Sequence, residues 1–254
     1  MEAERFTPLG CRACLDGAGL GFEFKMAFQP IVRMSDKSIY AQEALCRGPN
    51  GEGAGTVLSQ LNSENLYRFD QAARVRAIET AARVGVSTRL SINFLPNAVY
   101  RPETCIRATL EAAEQFQFEH SRLIFEVSET EQITEPAHLI GILREYQNQG
   151  FLTALDDFGS GYSGLKLLTR FQPDIVKLDR ELLSNVHENP PGQKILRNLV
   201  SMASDLDITL VAEGVERREE ATVLLDLGID LFQGYLLARP ALESEPTVDF
   251  AWNN

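Results

Sequence analysis

The chain has 254 residues, 44% of them hydrophobic and 8% aromatic, a composition that excludes a disordered or fibrous protein and suffices for one large domain or two small ones. Acidic residues outnumber basic ones by 36 to 24, a formal charge of −12, so the mean surface field repels nucleic acid polymers and anionic lipid. No apolar run is long enough to span a bilayer, and the opening MEAERFTPLGCRACLDG lacks the basic flank and apolar stretch of a secretory signal, so a cytoplasmic protein is expected.

In chain order, residues 1–25 read as a short leader. Cys11 and Cys14 within it have the spacing of a zinc knuckle, but no second pair accompanies them, and with Cys46 and Cys105 they are read as reduced thiols. From residue 26 short β-branched runs alternate with helical stretches. The predicted strands are MAFQPIVR (26–33), SIYAQEALCR (38–47), LSINFLP (90–96), LIFEVSE (123–129), LTALDDFG (152–159), DIVKLDR (174–180), TLVAEGV (209–215) and LFQGYLLA (231–238). Between them, Leu139, Ile142, Leu143 and Tyr146, or Ile195, Leu199, Met202, Ala203 and Leu206, recur at three and four, the period of amphipathic helices. Eight strands separated by helices point to a closed α/β barrel of the TIM (β/α)8 kind. Only Met34 to Lys37 separate the first two strands, too few for a crossover, so that pair is expected to run antiparallel. GPNGEGAGT (48–56) is expected to be a flexible rim loop. The domain is taken to span 26–245, with 246–254 as a tail.

Strands inside such a barrel are buried on both faces and should be apolar throughout. These are not. Glu43, Asn93, Glu126, Asp156, Asp157, Lys177, Glu213 and Gln233 interrupt them, mostly toward the C-terminal half, where barrel enzymes place their chemistry. One buried carboxylate is commonly a structural ion pair. Five near one another are costly unless they protonate or meet a cation. Carboxylates and one amide form an all-oxygen ligand set that suits Mg²⁺ or Mn²⁺. Adjacent Asp156 and Asp157 can face one site only where the strand ends, and there they could serve two ions, the arrangement of in-line phosphodiester cleavage. Enolate stabilisation by carboxylate-bound Mg²⁺, with Lys177 as base, would use similar ligands. GSGYSG (159–164) fits a dinucleotide-binding pattern, although two carboxylates directly before it would repel a pyrophosphate.

The stretches FQPIV (28–32), EALCR (43–47), SINFLP (91–96), FEVSE (125–129), DDFGSGYSGL (156–165), PDIVKLD (173–179), VAEGVE (211–216) and QGYLLARP (233–240) together resemble an EAL-domain cyclic di-GMP phosphodiesterase. The wording of QEALCRGPNGEG and SINFLPNAVY is most similar to EAL domains found downstream of blue-light-sensing BLUF modules. The resemblance implies a modified TIM barrel with an antiparallel first strand. It also implies metal-dependent hydrolysis of cyclic di-GMP to linear 5′-pGpG, which lowers a bacterial second messenger. Its implied metal ligands are Glu43, Asn93, Glu126, Asp156, Asp157 and Glu213, with Glu43 and Glu213 also counted as catalytic. By the same resemblance Lys177 orients or deprotonates the attacking water and Gln233 holds a metal-bound water. Gln29 contacts a guanine, and Arg47 a substrate phosphate. Glu129 braces the loop DFGSGYSG, which couples the site to a homodimer. A non-catalytic receptor for the same ligand is the alternative, distinguished by the absence of turnover.

Overall fold

A computed structural model describes residues 20–99, 101–130, 135–161 and 164–251, so Cys11 and Cys14 lie outside the described residues. Eight strands close a ring: β1 (Lys25–Arg33), β2 (Ser38–Arg47), β3 (Arg89–Asn93), β4 (Leu123–Ser128), β5 (Leu152–Phe158), β6 (Ile175–Leu178), β7 (Thr209–Ala212) and β8 (Leu231–Phe232). From β2 to β8 each pairs parallel with the next. As the short 34–37 connection requires, β1 runs antiparallel to both of its neighbours, β2 and β8. The turn is set by Lys37 in the left-handed region (φ +56°) and by Asp36, which accepts the Ser38 N–H at 3.0 Å. A short further strand, β9 (Ala241–Leu242), pairs antiparallel with β1. The result is a TIM-like α/β barrel with an inverted first strand.

Several strands are shorter than their apolar runs predict, because the residues that follow leave the ladder to shape the rim. After Phe232 the backbone turns at Gly234 so close to Val215 that a Cβ there would stand 2.1 Å from the Val215 carbonyl oxygen. Gln233 N–H still reaches Ala212 O at 2.8 Å, and Val215 N–H reaches Gln233 O at 3.1 Å. Only glycine permits that approach.

The helices pack outside the ring. α1 (Ala54–Leu58) takes up the end of the glycine-rich segment expected to be a loop. α2 (Leu66–Val84), α3 (Pro102–Cys105), α4 (Arg107–Gln115) and α5 (Pro136–Asn148) cover β1 to β5; α6 (Gly164–Leu168), α7 (Arg180–Leu183), α8 (Pro190–Asp205) and α9 (Arg218–Asp226) complete the set. On α5 the predicted face is the buried one, with Leu139, Ile142, Leu143 and Tyr146 in the core. On α8 Leu199, Met202, Ala203 and Leu206 pack on the core as expected, joined by Leu196, while Ile195 is 56% exposed. Packing also reaches beyond 26–245. Leu20 and Phe24 are buried, Phe24 meets the Phe69 ring edge-on at 5.3 Å, and Val248 and Phe250 pack on the core.

Behind β3 and β4 lies a fully buried cation. The Arg74 guanidinium pairs with Asp70 at 2.6 Å and donates to Tyr146 Oη at 2.7 Å, with the rings of Phe94, Phe125 and Tyr146 5.4–5.7 Å from its centre. Asp70 in turn accepts the Leu95 N–H at 2.9 Å and so anchors the end of β3. Arg74→Ala leaves the Asp70 carboxylate buried without its cation, which costs about 3–5 kcal/mol. A urea denaturation midpoint unchanged from wild type would contradict this role.

Candidate metal centre

Barrel strands point alternate residues inward, and here that period separates an apolar floor from a polar mouth. Ile31, Ala41, Ile124, Ala154, Ile175, Val211 and Leu231 form one interior cluster. Two residues further toward the C-terminal mouth on each strand stand Glu43, Glu126, Asp156, Lys177, Glu213 and Gln233, with Gln29 at the matching place on the inverted β1 and Asn93 on β3. The polar residues therefore share one depth.

Lys177 stands at the centre, wholly buried. Its Nζ lies 2.7 Å from Glu213, 2.9 Å from Glu126, 3.1 Å from Asp156 and 3.3 Å from Glu43. Gln233 Nε2 donates to Glu43 Oε2 at 2.7 Å and Asn93 Nδ2 donates to Glu43 Oε1 at 3.0 Å. Ser91, which sequence reading did not single out, donates its hydroxyl to Glu126. The signal for it was available: it sits two residues before Asn93, on the same inward face.

Asp156 and Asp157 both reach the mouth because β5 bulges there. The register against β6 slips between Leu155 and Phe158, and Asp157 takes φ +55°, a left-handed conformation that aspartate tolerates better than most residues. Asp157 then accepts the Ser128 hydroxyl at 2.6 Å. Carboxylate oxygens fall into two groups, each with its oxygens within 4.8 Å of one another: Glu43, Glu126 and Asp156, and Asp156, Asp157 and Glu213. Asp156 belongs to both.

Four carboxylates share one ammonium, with Asp157 beside them, and the protonation equilibria record the strain. Burial, reinforced by the charges of Glu43 and Asp156 against the pull of Lys177, pushes Glu126 up to about 8. Burial likewise raises Glu213 well above the carboxylate range. Asp157 is raised by burial and by Asp156. For Asp156 burial is outweighed by Lys177 and by hydrogen bonds from Glu213, Lys177 and the Asp157 N–H, so it stays below its usual value. Burial would discharge Lys177, but the surrounding carboxylates hold it protonated far above its ordinary range. The excess of negative charge and the all-oxygen donor set fit hard divalent cations.

Glu129 lies beside this mouth. Its carboxylate accepts the N–H groups of Gly159 at 2.8 Å and Gly164 at 2.6 Å, and its own N–H reaches Asp156 O at 2.9 Å. A Cβ at Gly161 or Gly164 would stand about 3.0 and 2.9 Å from that side chain. The glycine pattern that mimics a dinucleotide fingerprint thus makes room for Glu129. Gln29 and Gln233 face each other at 3.5 Å, and both line a cavity of about 280 Å³ with Glu43, Glu213, Arg180 and Tyr235. Arg47 is not gathered in: its Nη1 donates to the adjacent Cys46 O at 2.7 Å, and it does not line that cavity.

Comparison with known proteins agrees with this architecture. Residues 18–240 match the family model described as EAL domain. The chain is 30% identical over 227 residues to the blue light- and temperature-regulated antirepressor BluF of Escherichia coli (strain K12), covering 89% of this chain and 56% of that protein. It is 30% identical over 233 residues to the cyclic di-GMP phosphodiesterase RocR of Pseudomonas aeruginosa, covering 87% of this chain and 58% of that one. The chain thus spans little more than half the length of these curated relatives. A standalone versatile EAL protein from Vibrio cholerae O395, solved with c-di-GMP bound, superposes with a TM-score of 0.89 at 48% identity over 92% of this chain and 99% of that one. Klebsiella pneumoniae BlrP1, solved as a manganese/cy-diGMP complex, gives 0.83 at 37% identity over 88% and 57%. By its barrel, its carboxylate mouth and the extent of that match, this chain belongs to the EAL domain family.

Proposed function

We propose that the protein hydrolyses cyclic di-GMP to linear 5′-pGpG with Mg²⁺ or Mn²⁺ as cofactor, lowering the concentration of that second messenger. One observation carries the reading: two overlapping carboxylate groups share Asp156 at the C-terminal mouth, where barrel chemistry takes place. The cations, when bound, neutralise the phosphodiester and acidify a water. Glu43, Glu126, Asp156 and Asn93 would hold one, and Asp156, Asp157 and Glu213 the other. Water oxygen forms the new bond to phosphorus, one P–O3′ bond breaks, and the proton ends on the released ribose hydroxyl.

Lys177, with its Nζ among four carboxylates, is placed to orient or deprotonate the attacking water. Gln233 donates to Glu43, while its buried Oε1 has no partner among the described residues and offers a lone pair to a water. Gln29, with its Nε2 tied to Ala238 O at 3.2 Å, presents an amide to a guanine edge. Arg47 must swing from the Cys46 carbonyl to meet a phosphate, for which a guanidinium fork is suited. Glu129 braces the loop at Gly159 and Gly164, and α6 directly after it carries Leu165, 59% exposed, as the contact of a homodimer.

Removal of divalent ions with EDTA is expected to abolish conversion of cyclic di-GMP to 5′-pGpG, and Mg²⁺ or Mn²⁺ to restore it. Glu43→Gln should lower turnover by at least about 100-fold while the protein still melts cooperatively. Persistent hydrolysis in either case would remove the basis for the proposal, and binding without turnover would favour a receptor. Titration calorimetry with Mn²⁺ should give two sites in wild type, one in Asp157→Asn and none of comparable affinity in Asp156→Asn. Two sites retained in Asp156→Asn would sink its bridging role. Light scattering should find a dimer in wild type and a monomer in Leu165→Glu; a monomeric wild type would reject the dimer.

A further inference from the structure

The opposite mouth of the barrel carries charge of the other sign. Arg33 at the end of β1, Arg89 at the start of β3 and Arg122 just before β4 line a cavity of about 450 Å³ together with Tyr40, Thr88 and the exposed Ser87 and Ser121. Its wall holds three guanidinium groups and no carboxylate, in a protein of net charge −12. Its size lies in the range of small-molecule sites.

Arg89 and Arg122 are held in place without a carboxylate partner among the described residues, and Arg33 has only a long ion pair. Arg122 lies 4.1 Å from the Phe118 ring centre and donates to the backbone carbonyls of Val86 at 2.7 Å and Thr88 at 2.6 and 3.0 Å, neutral acceptors that fix its plane and leave its charge. Arg89 stands 4.6 Å over the Tyr40 ring, and its guanidinium has no hydrogen bond or carboxylate partner among the described residues. Arg33 stands 5.4 Å from the same ring, and its nearest acid, Asp230, is 3.9 Å away.

The acids nearest the cavity lie off its wall, fixed by neutral donors. Asp230 accepts the Ser35 N–H and hydroxyl, each at 2.8 Å, one on each oxygen. Asp36 accepts the Ser38 N–H and hydroxyl at 3.0 and 2.6 Å. Asp174 accepts the Thr153 N–H at 2.7 Å and hydroxyl at 2.9 Å. Each is held by a hydroxyl donor that fixes its position and leaves its charge, and none of the three lines the cavity, although Asp230 pairs with Arg33 from outside it.

We propose that this cavity at the N-terminal mouth is a second ligand site, separate from the carboxylate centre, which binds a small phosphorylated molecule through Arg33, Arg89 and Arg122. Planar guanidinium forks match phosphate oxygens, and the serine and threonine hydroxyls add neutral donors.

The test is calorimetric titration of inorganic phosphate and inorganic pyrophosphate into the full chain in EDTA, which leaves the carboxylate centre without cations. Saturable binding at one site is expected in wild type. Arg89→Ala, which breaks no hydrogen bond among the described residues, should weaken it about tenfold or more. Ser121→Asp, which adds a carboxylate to an exposed position on the wall, should weaken it comparably, and neither variant should alter cyclic di-GMP turnover. Absence of binding in wild type, or equal affinity in both variants, would overturn the assignment. Capture of the protein on phosphatidylglycerol vesicles would overturn the small-molecule reading in favour of a lipid headgroup.

Discussion

The structure turns on the ammonium of Lys177 and the four carboxylates that meet it inside a water-poor barrel. Like charges at such separations repel strongly where the dielectric is low, and one lysine cannot compensate them all. The rest of the mouth serves to keep these groups close in spite of that repulsion. Asn93 and Gln233 donate to Glu43, Ser91 to Glu126, the Asp157 N–H to Asp156 and Ser128 to Asp157, so among the described residues each carboxylate but Glu213 is also tied to a neutral donor. Such an arrangement is poised to accept cations because its own repulsion is relieved when they arrive.

Holding it there requires a rigid frame. The floor of Ile31, Ala41, Ile124, Ala154, Ile175, Val211 and Leu231 fills the barrel and bars water from below. Arg74 and Asp70 brace β3 and β4 from outside through Phe94, Phe125 and the Leu95 N–H, the residues flanking Asn93 and Glu126. The β5 bulge does the remaining work: without the extra residue, Asp156 and Asp157 would point to opposite faces. Glu129 closes the arrangement by tying the glycine loop to the Asp156 carbonyl.

The barrel is polar in a second sense, since its two mouths carry opposite fields. Parallel strands bring their C-terminal ends, rich in carboxylates, to one side and their N-terminal flanks, with Arg89 and Arg122, to the other. The inverted β1 obeys the same division, placing Gln29 at the acidic mouth and Arg33 at the basic one. A strongly acidic molecule can thereby approach anionic ligands from both ends, by cations at one and guanidinium groups at the other.

Much of this was legible in the sequence. Carboxylates interrupting apolar strand runs marked Glu43, Glu126, Asp156, Asp157 and Glu213, because burial on both faces makes any such residue costly and therefore conspicuous. The four-residue connection 34–37 forced β1 antiparallel by length alone. Tertiary structure decided what depends on distances between strands: that Lys177 meets four carboxylates at once, that Asp156 belongs to both groups, that Ser91 bonds Glu126, and that Arg47 rests on Cys46. It also left Ile195 of the α8 stripe exposed and buried Leu196 beside it, and ended β8 at Phe232 where Gly234 meets Val215. Periodicity along one chain records which residues face inward. It carries no information on the register between strands, and that register sets which charges touch.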